Sequence, residues 1–168
     1  RAYHQIPVAS AGPTDFFRRS DTGGSAPWTV KTADITTAEP QSSSTQKFYA
    51  PFVVSPINGD RVLYGTKNIW DTINGGDNWT VRSIVNTAGW NPSGFLVEAI
   101  GLAPSDPSTI YAATNDTISS AVGHFFVTTT LGASWTERPI TGNLRIADIQ
   151  VDPANASIVY AVINRFSP

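Results

Sequence analysis

Ile100-Gly101-Leu102-Ala103-Pro104 is followed, a few residues on, by Ser108-Thr109-Ile110-Tyr111-Ala112-Ala113. Both stretches alternate apolar positions at a period of two, and Pro-Ser-Asp-Pro-Ser between them has strong turn chemistry. The segment therefore reads as strand, turn, strand. The same arrangement recurs on either side. Upstream, Phe52-Val53-Val54-Ser55-Pro56 precedes Arg61-Val62-Leu63-Tyr64-Gly65-Thr66; downstream, Ile149-Gln150-Val151-Asp152-Pro153 precedes Ser157-Ile158-Val159-Tyr160-Ala161-Val162. The prolines are 48 and 49 residues apart and the tyrosines 47 and 49. Each proline closes a strand, where it breaks no ladder bond.

A second element recurs with the first. Its copies are Thr72-Ile73-Asn74-Gly75-Gly76-Asp77-Asn78-Trp79, Thr128-Thr129-Thr130-Leu131-Gly132-Ala133-Ser134-Trp135 and, with one extra residue, Ser20-Asp21-Thr22-Gly23-Gly24-Ser25-Ala26-Pro27-Trp28. Bulky strand residues precede each copy (Phe16-Phe17, Ile69-Trp70, Phe125-Phe126-Val127) and a short polar strand follows. A unit of four antiparallel strands in just under fifty residues is a β-propeller blade. The expected fold is all-β: complete blades at 48–97 and 98–145, half-blades at 1–33 and 146–168, and an insertion from Asn115 to His124. Residues 33–45 read as a polar loop. With half-blades at both ends and no Met at position 1, the chain is expected to be a processed product or part of a longer one.

The turn element resembles the Asp box, Ser/Thr-x-Asp-x-Gly-x-Thr-Trp, of the bacterial neuraminidase repeat. Asn74 and Thr130 stand where the family has Asp. In the resemblance the hydroxyl and Asp side chains bond the turn backbone, glycine takes positive φ, and the Trp folds back as a plug. Trp28, Trp79 and Trp135 are thereby assigned to architecture, and Trp70 is expected to pack between blades. The groups that share the repeat include sialidases, xyloglucan-cleaving glycoside hydrolases, sortilin-type receptors and photosystem II assembly factors. The style of this chain is closest to the xyloglucanase and assembly-factor branches.

Composition narrows the partners. Only 14% of residues are charged, against about 25% in an average soluble domain, and the formal net charge is -2. Neither favours nucleic acid or an anionic membrane as partner. There is no Cys, and no apolar run reaches a membrane span of ~20 residues. His4 and His124 lack metal-ligand spacing and are expected to be solvated; no metal or cofactor is implied. Asn78, Asn115 and Asn155 head Asn-x-Ser/Thr sequons, of which Asn115 and Asn155 fall in expected loops.

Chemistry must then come from the mouth of the innermost strands. Glycoside hydrolysis needs two carboxyl groups flanking the bond, and Glu98 and Asp148 are the weak candidates, one residue apart in repeat register. The Arg-Ile-Pro signature of sialidases and the Arg-Thr-Asp-Ile-Gly-Gly motif of xyloglucanases are both absent. Arg145 is the arginine that precedes an innermost strand. Trp90 and Asn91, in a loop leading to such a strand, are the expected sugar-stacking and polar ligand contacts. The expectation is a non-catalytic, secreted or cell-surface scaffold that binds other copies, the rest of a longer propeller, or carbohydrate. The alternative is a fragment of a secreted glycoside hydrolase.

Overall fold

The computed structural model describes residues 1–5, 17–25, 27–39, 42–115, 123–142 and 145–163. These form an all-β architecture of four antiparallel sheets, each strand pairing with its neighbour in sequence. The first sheet holds β1 (Ala2–Gln5), β2 (Phe17–Ser20) and β3 (Thr29–Val30). The second holds β4 (Phe52–Val54), β5 (Val62–Gly65), β6 (Ile69–Thr72) and β7 (Thr80–Val81). The third holds β8 (Leu96–Leu102), β9 (Ile110–Asn115), β10 (Gly123–Thr128) and β11 (Thr136–Glu137), and the fourth β12 (Ile146–Val151) and β13 (Val159–Ile163). Most of the expected insertion, residues 116–122, lies outside the described residues. No helix among the described residues is long and apolar enough to cross a membrane.

The sheets bury their apolar faces against one another in chain order. Phe17 of the first sheet packs with Val62, Tyr64, Trp70 and Trp79 of the second. Leu63 and Ile69 of the second join Val97, Ile100, Ile110 and Phe126 of the third. Ala99, Tyr111 and Phe125 of the third close on Ile146 and Ile149 of the fourth. The strands of the middle sheets, expected to alternate, are instead buried at both parities because a neighbouring sheet covers each face.

Pairing register corrects the sequence alignment by one residue. Val53 lies opposite Leu63, Gly101 opposite Tyr111 and Gln150 opposite Tyr160. The residues that face the following sheet are Leu63 and Tyr111, 48 apart like the prolines, whereas Tyr64 faces the preceding sheet. The 47-residue tyrosine spacing therefore joins positions on opposite faces of a strand.

Residues 33–45 are not wholly loop. Ala33–Ala38 form a short helix, α1. Its Ile35 is fully buried with Phe17 and Trp79, and its Asp34 Oδ2 accepts the Trp79 N–H at 2.8 Å. Glu39 at its end accepts the Trp70 indole N–H at 3.1 Å. One apolar anchor and two carboxylates thus tie the polar segment to the second sheet.

The turn element behaves alike in its copies. Thr72 Oγ1 accepts the N–H groups of Asn74 and Gly76, and Thr128 Oγ1 those of Thr130 and Gly132. Asn74 Oδ1 accepts the Asn78 N–H and Thr130 Oγ1 the Ser134 N–H, each at 3.0 Å. The indole of Trp79 donates to Lys31 O at 2.7 Å and that of Trp135 to Arg82 O at 3.0 Å, each across to the preceding sheet. Trp28 departs from this pattern: it is half-buried, with His4 edge-on at 5.5 Å.

Candidate functional site

Leu96 opens β8 opposite Asn115, the last residue of β9, and Gly123 opens β10 opposite the same Asn115. This end of the third sheet is the one remote from the Thr128–Trp135 turn. A bulge between Val97 and Ala99 lifts Glu98 out of the ladder, and β12 has the same irregularity between Ile146 and Asp148. Bulges re-aim side chains at strand ends. In structural register Glu98 corresponds to Ala147, and Asp148 to Ala99.

Glu98 sits among cations. Lys47 Nζ is 2.5 Å from its Oε2 and Arg145 Nη2 is 3.5 Å away. The Lys47 ammonium is the closer of the two cations and acts on the carboxylate through both its charge and its N–H groups. Burial pushes the Glu98 carboxyl up, but Lys47, Asn115 and Arg145 more than offset it, and the group titrates below its ordinary range. A carboxyl so held is ionised at neutral pH and unsuited to donate a proton to a leaving group.

Asp148 stands elsewhere. Ile149 packs onto the third sheet, so its neighbours Asp148 and Gln150 alternate to the other face, and both are exposed. Asp148 Oδ1 accepts the Ile149 N–H at 2.8 Å. The sequence-predicted residues thus divide: Glu98 and Arg145 come together, while Asp148 lies on the face of the fourth sheet turned away from the third.

Trp90 is not the exposed platform expected of a loop tryptophan. It is 0% exposed, with Trp135 and Phe126 at ring distances of 4.5 and 5.0 Å. Its faces are occupied by core rings, leaving none for a sugar. Its indole donates to Lys67 O at 2.9 Å. Asn91, also buried, donates to Lys67 O at 3.2 Å and to Phe95 O at 2.8 Å, and accepts the Phe95 N–H at 3.0 Å. Both residues therefore fix Lys67 and the loop up to Phe95.

That loop walls a cavity of about 190 Å³ bounded by Ser43, Ser44, Lys67, Phe95, Leu96 and Asn115. Asn115 is fully buried, and neither its Oδ1 nor its Nδ2 has a hydrogen-bond partner. Its burial also closes the Asn115 sequon, whereas Asn78 and Asn155 are exposed. His124, expected to be solvated, is part-buried: its Nδ1 is 2.6 Å from Glu137 Oε1, and Phe95 lies 5.4 Å from its ring. Sequence reading missed Lys47, Lys67 and Ser43–Ser44. They lie outside the repeated strands, and only their number of nearby donors could have drawn notice. Among the described residues no group of three or more His, Asp or Glu side chains gathers to hold a metal ion.

No protein-family model matches the sequence, and no curated protein matches it. Solved structures do. An ancestral GH74 enzyme aligns with a TM-score of 0.56 at 17% identity, over 90% of this chain and 19% of its own. The GH74 enzyme of Niastella koreensis aligns with a TM-score of 0.59 at 13% identity, over 95% of this chain and 27% of its own. This chain therefore spans about a fifth to a quarter of the length of these structures. At these identities the likeness speaks to fold alone, and it supports a β-propeller arrangement of the four sheets.

Proposed function

We propose that this chain is a run of Asp-box β-propeller blades acting as a non-catalytic binding or assembly scaffold, secreted or at the cell surface. In this reading Thr72 with Asn74 and Thr128 with Thr130 perform the backbone bonding of the Ser/Thr and Asp of the motif. Trp79 and Trp135 are its plugs. The second and third sheets are the complete blades expected at 48–97 and 98–145, with the division falling before Leu96, where β8 begins. Residues 1–33 and 146–168 are the halves that flank them.

One observation carries the assembly role. Tyr111 is 8% exposed because the fourth sheet covers it, and its hydroxyl donates to Ala156 O at 2.8 Å. Tyr160 holds the same register position in the fourth sheet and is 62% exposed, beside Val162 at 56%. Asp148 and Gln150 share that face. By the step that relates each sheet to the next, this face is the seat of another sheet of the same repeat. Sedimentation over a dilution series tests self-association through it. Concentration-dependent association that Y160E with V162K abolishes is expected; a monomer at every concentration counts against assembly between copies.

A second reading, a fragment of a glycoside hydrolase, is favoured by the GH74 fold likeness. It needs a partner carboxyl for Glu98, and the ion pairs to Lys47 and Arg145 weigh against Glu98 as an acid. Hydrolysis of any member of a polysaccharide panel, lost in E98A or D148A, would establish it over the scaffold reading.

A further inference from the structure

The cavity beside Asn115 combines features that the scaffold reading does not use. The buried Asn115 amide approaches only the Glu98 carboxylate and closes no well-formed hydrogen bond through either its N–H groups or its carbonyl, which leaves a desolvation penalty largely uncompensated. Such a group is explained when something in the adjacent space bonds it, and Asn115 can offer donors and an acceptor together. The space is adequate. At roughly 30 Å³ per water, about 190 Å³ admits a molecule of one small ring.

Charge specifies what kind of molecule. Lys67 lines the cavity with no carboxylate partner among the described residues, and its main chain is fixed by Trp90 and Asn91. Lys47 and Arg145 stand next to it around Glu98, which Asn115 also approaches. Three cations, Lys47, Lys67 and Arg145, face two carboxylates here, Glu98 and Glu39, which leaves one positive charge in excess on a chain whose formal net charge is -2. Glu39, whose neighbours in space are Thr66, Asn68 and Trp70, is already bonded by all three. The Ser43 and Ser44 hydroxyls add donors, and Phe95 adds an apolar wall.

We propose that this cavity binds a small ring-sized molecule bearing an oxyanion, with Lys67 pairing the anion and Asn115 supplying the directional hydrogen bonds. A sugar carboxylate has this chemistry. The site does not depend on the assembly reading, since it lies between the second and third sheets and away from Tyr160.

The test is an NMR titration of the whole chain, following the side-chain amide of Asn115, with glucuronate, glucose and sulfate as probes. Glucuronate is expected to shift that amide saturably and to bind at least tenfold tighter than glucose. Sulfate is expected to displace it. K67Q, on a side chain outside the core, is expected to weaken glucuronate about tenfold, the loss of one ion-pair contact of ~1.4 kcal/mol. N115D, which keeps the shape and adds a negative charge, is expected to abolish binding, read by ligand-observed NMR. The amide-proton spectra of both variants report that the fold is kept. Absence of saturable glucuronate binding, equal binding of glucose, failure of sulfate to compete, or unchanged binding in both variants would each overturn the proposal.

Discussion

The indole N–H of Trp135 donates to the main-chain carbonyl of Arg82 at 3.0 Å, joining the turn of the third sheet to the end of the second. Trp79 makes the same bond to Lys31 at 2.7 Å, one sheet earlier. Glycine is needed beside each. A Cβ at Gly76, where φ is +93°, would lie 2.8 Å from Lys31 Cβ, and one at Gly132, where φ is +89°, would overlap the Arg82 carbonyl. Turn glycine and plug tryptophan thus dock on one residue of the preceding sheet. W135A should destabilise the chain by about 3–5 kcal/mol. W135F, which keeps a ring but orphans the Arg82 carbonyl, should cost about 1–3 kcal/mol. Urea denaturation of the two variants measures the split; a W135F variant as stable as the parent would remove the hydrogen bond from the account.

Arg82 serves the same junction through its side chain. Asp71, 2% exposed, accepts from Arg61 Nε at 3.1 Å, from Arg61 Nη2 at 3.2 Å and from Arg82 Nε at 3.0 Å. Arg61 Nη1 reaches on to Pro107 O in the third sheet at 2.8 Å. D71N keeps the shape and removes the charge that compensates two guanidinium groups, and should cost roughly 3–5 kcal/mol. R82A leaves the carbonyl that Trp135 uses, so it should cost clearly less than W135A. Denaturation midpoints at low and high salt check this, because a pair this buried should respond little to screening.

The repeat was legible because prolines and turn tryptophans are fixed by backbone geometry, and geometry recurs at a constant spacing. Tyr64 and Tyr111 misled because a side chain on a strand needs only the right parity to change faces. A shift of one residue sent Tyr64 to the first sheet and Tyr111 to the fourth. Trp90 misled for a different reason. Its neighbours Phe126 and Trp135 lie far along the chain, and nothing in Thr87–Pro92 announces them. Glu98 and Arg145 drew notice from their places within or just before the first strands of their units, and the structure brings the two side chains to 3.5 Å. Lys47 was not, because it reaches Glu98 from a segment outside the repeat.

Glu98 gives this end of the third sheet a dependence on acid. Its carboxyl is pushed up by burial and pulled further down by Lys47, Asn115 and Arg145, so its net value in the folded chain is below the ordinary one. The fold therefore favours the ionised form. The stabilisation is complete above the ordinary glutamate range, about pH 4.3, and is lost as pH falls through the lower folded value. Thermal melts taken downward from neutral pH should show E98Q less stable than the parent at neutral pH. The two should converge as the medium becomes acid. A gap that is constant with pH would assign the loss to packing instead of charge.

The junction of the third and fourth sheets depends on the absence of a side chain. A Cβ at Gly101 would overlap Ile149 Cγ2 and lie 3.2 Å from both Ile149 Cβ and Val151 Cγ2. These are β-branched side chains on β12, stiff at χ1 and unable to swing aside. G101A must therefore displace the fourth sheet from the third, and should cost about 1–3 kcal/mol by overpacking. I149A alone opens a void where Ile149, 2% exposed, was buried, and should cost about 2–5 kcal/mol. The two changes meet in the same space, so the added methyl partly fills the void. G101A with I149A should be more stable than the sum of the single losses predicts, by roughly 0.5–3 kcal/mol. Chemical denaturation of the four-member cycle measures that coupling. Strict additivity would mean that Gly101 is tolerated for its backbone freedom and not for the room it leaves Ile149, which the contact geometry at this position argues against.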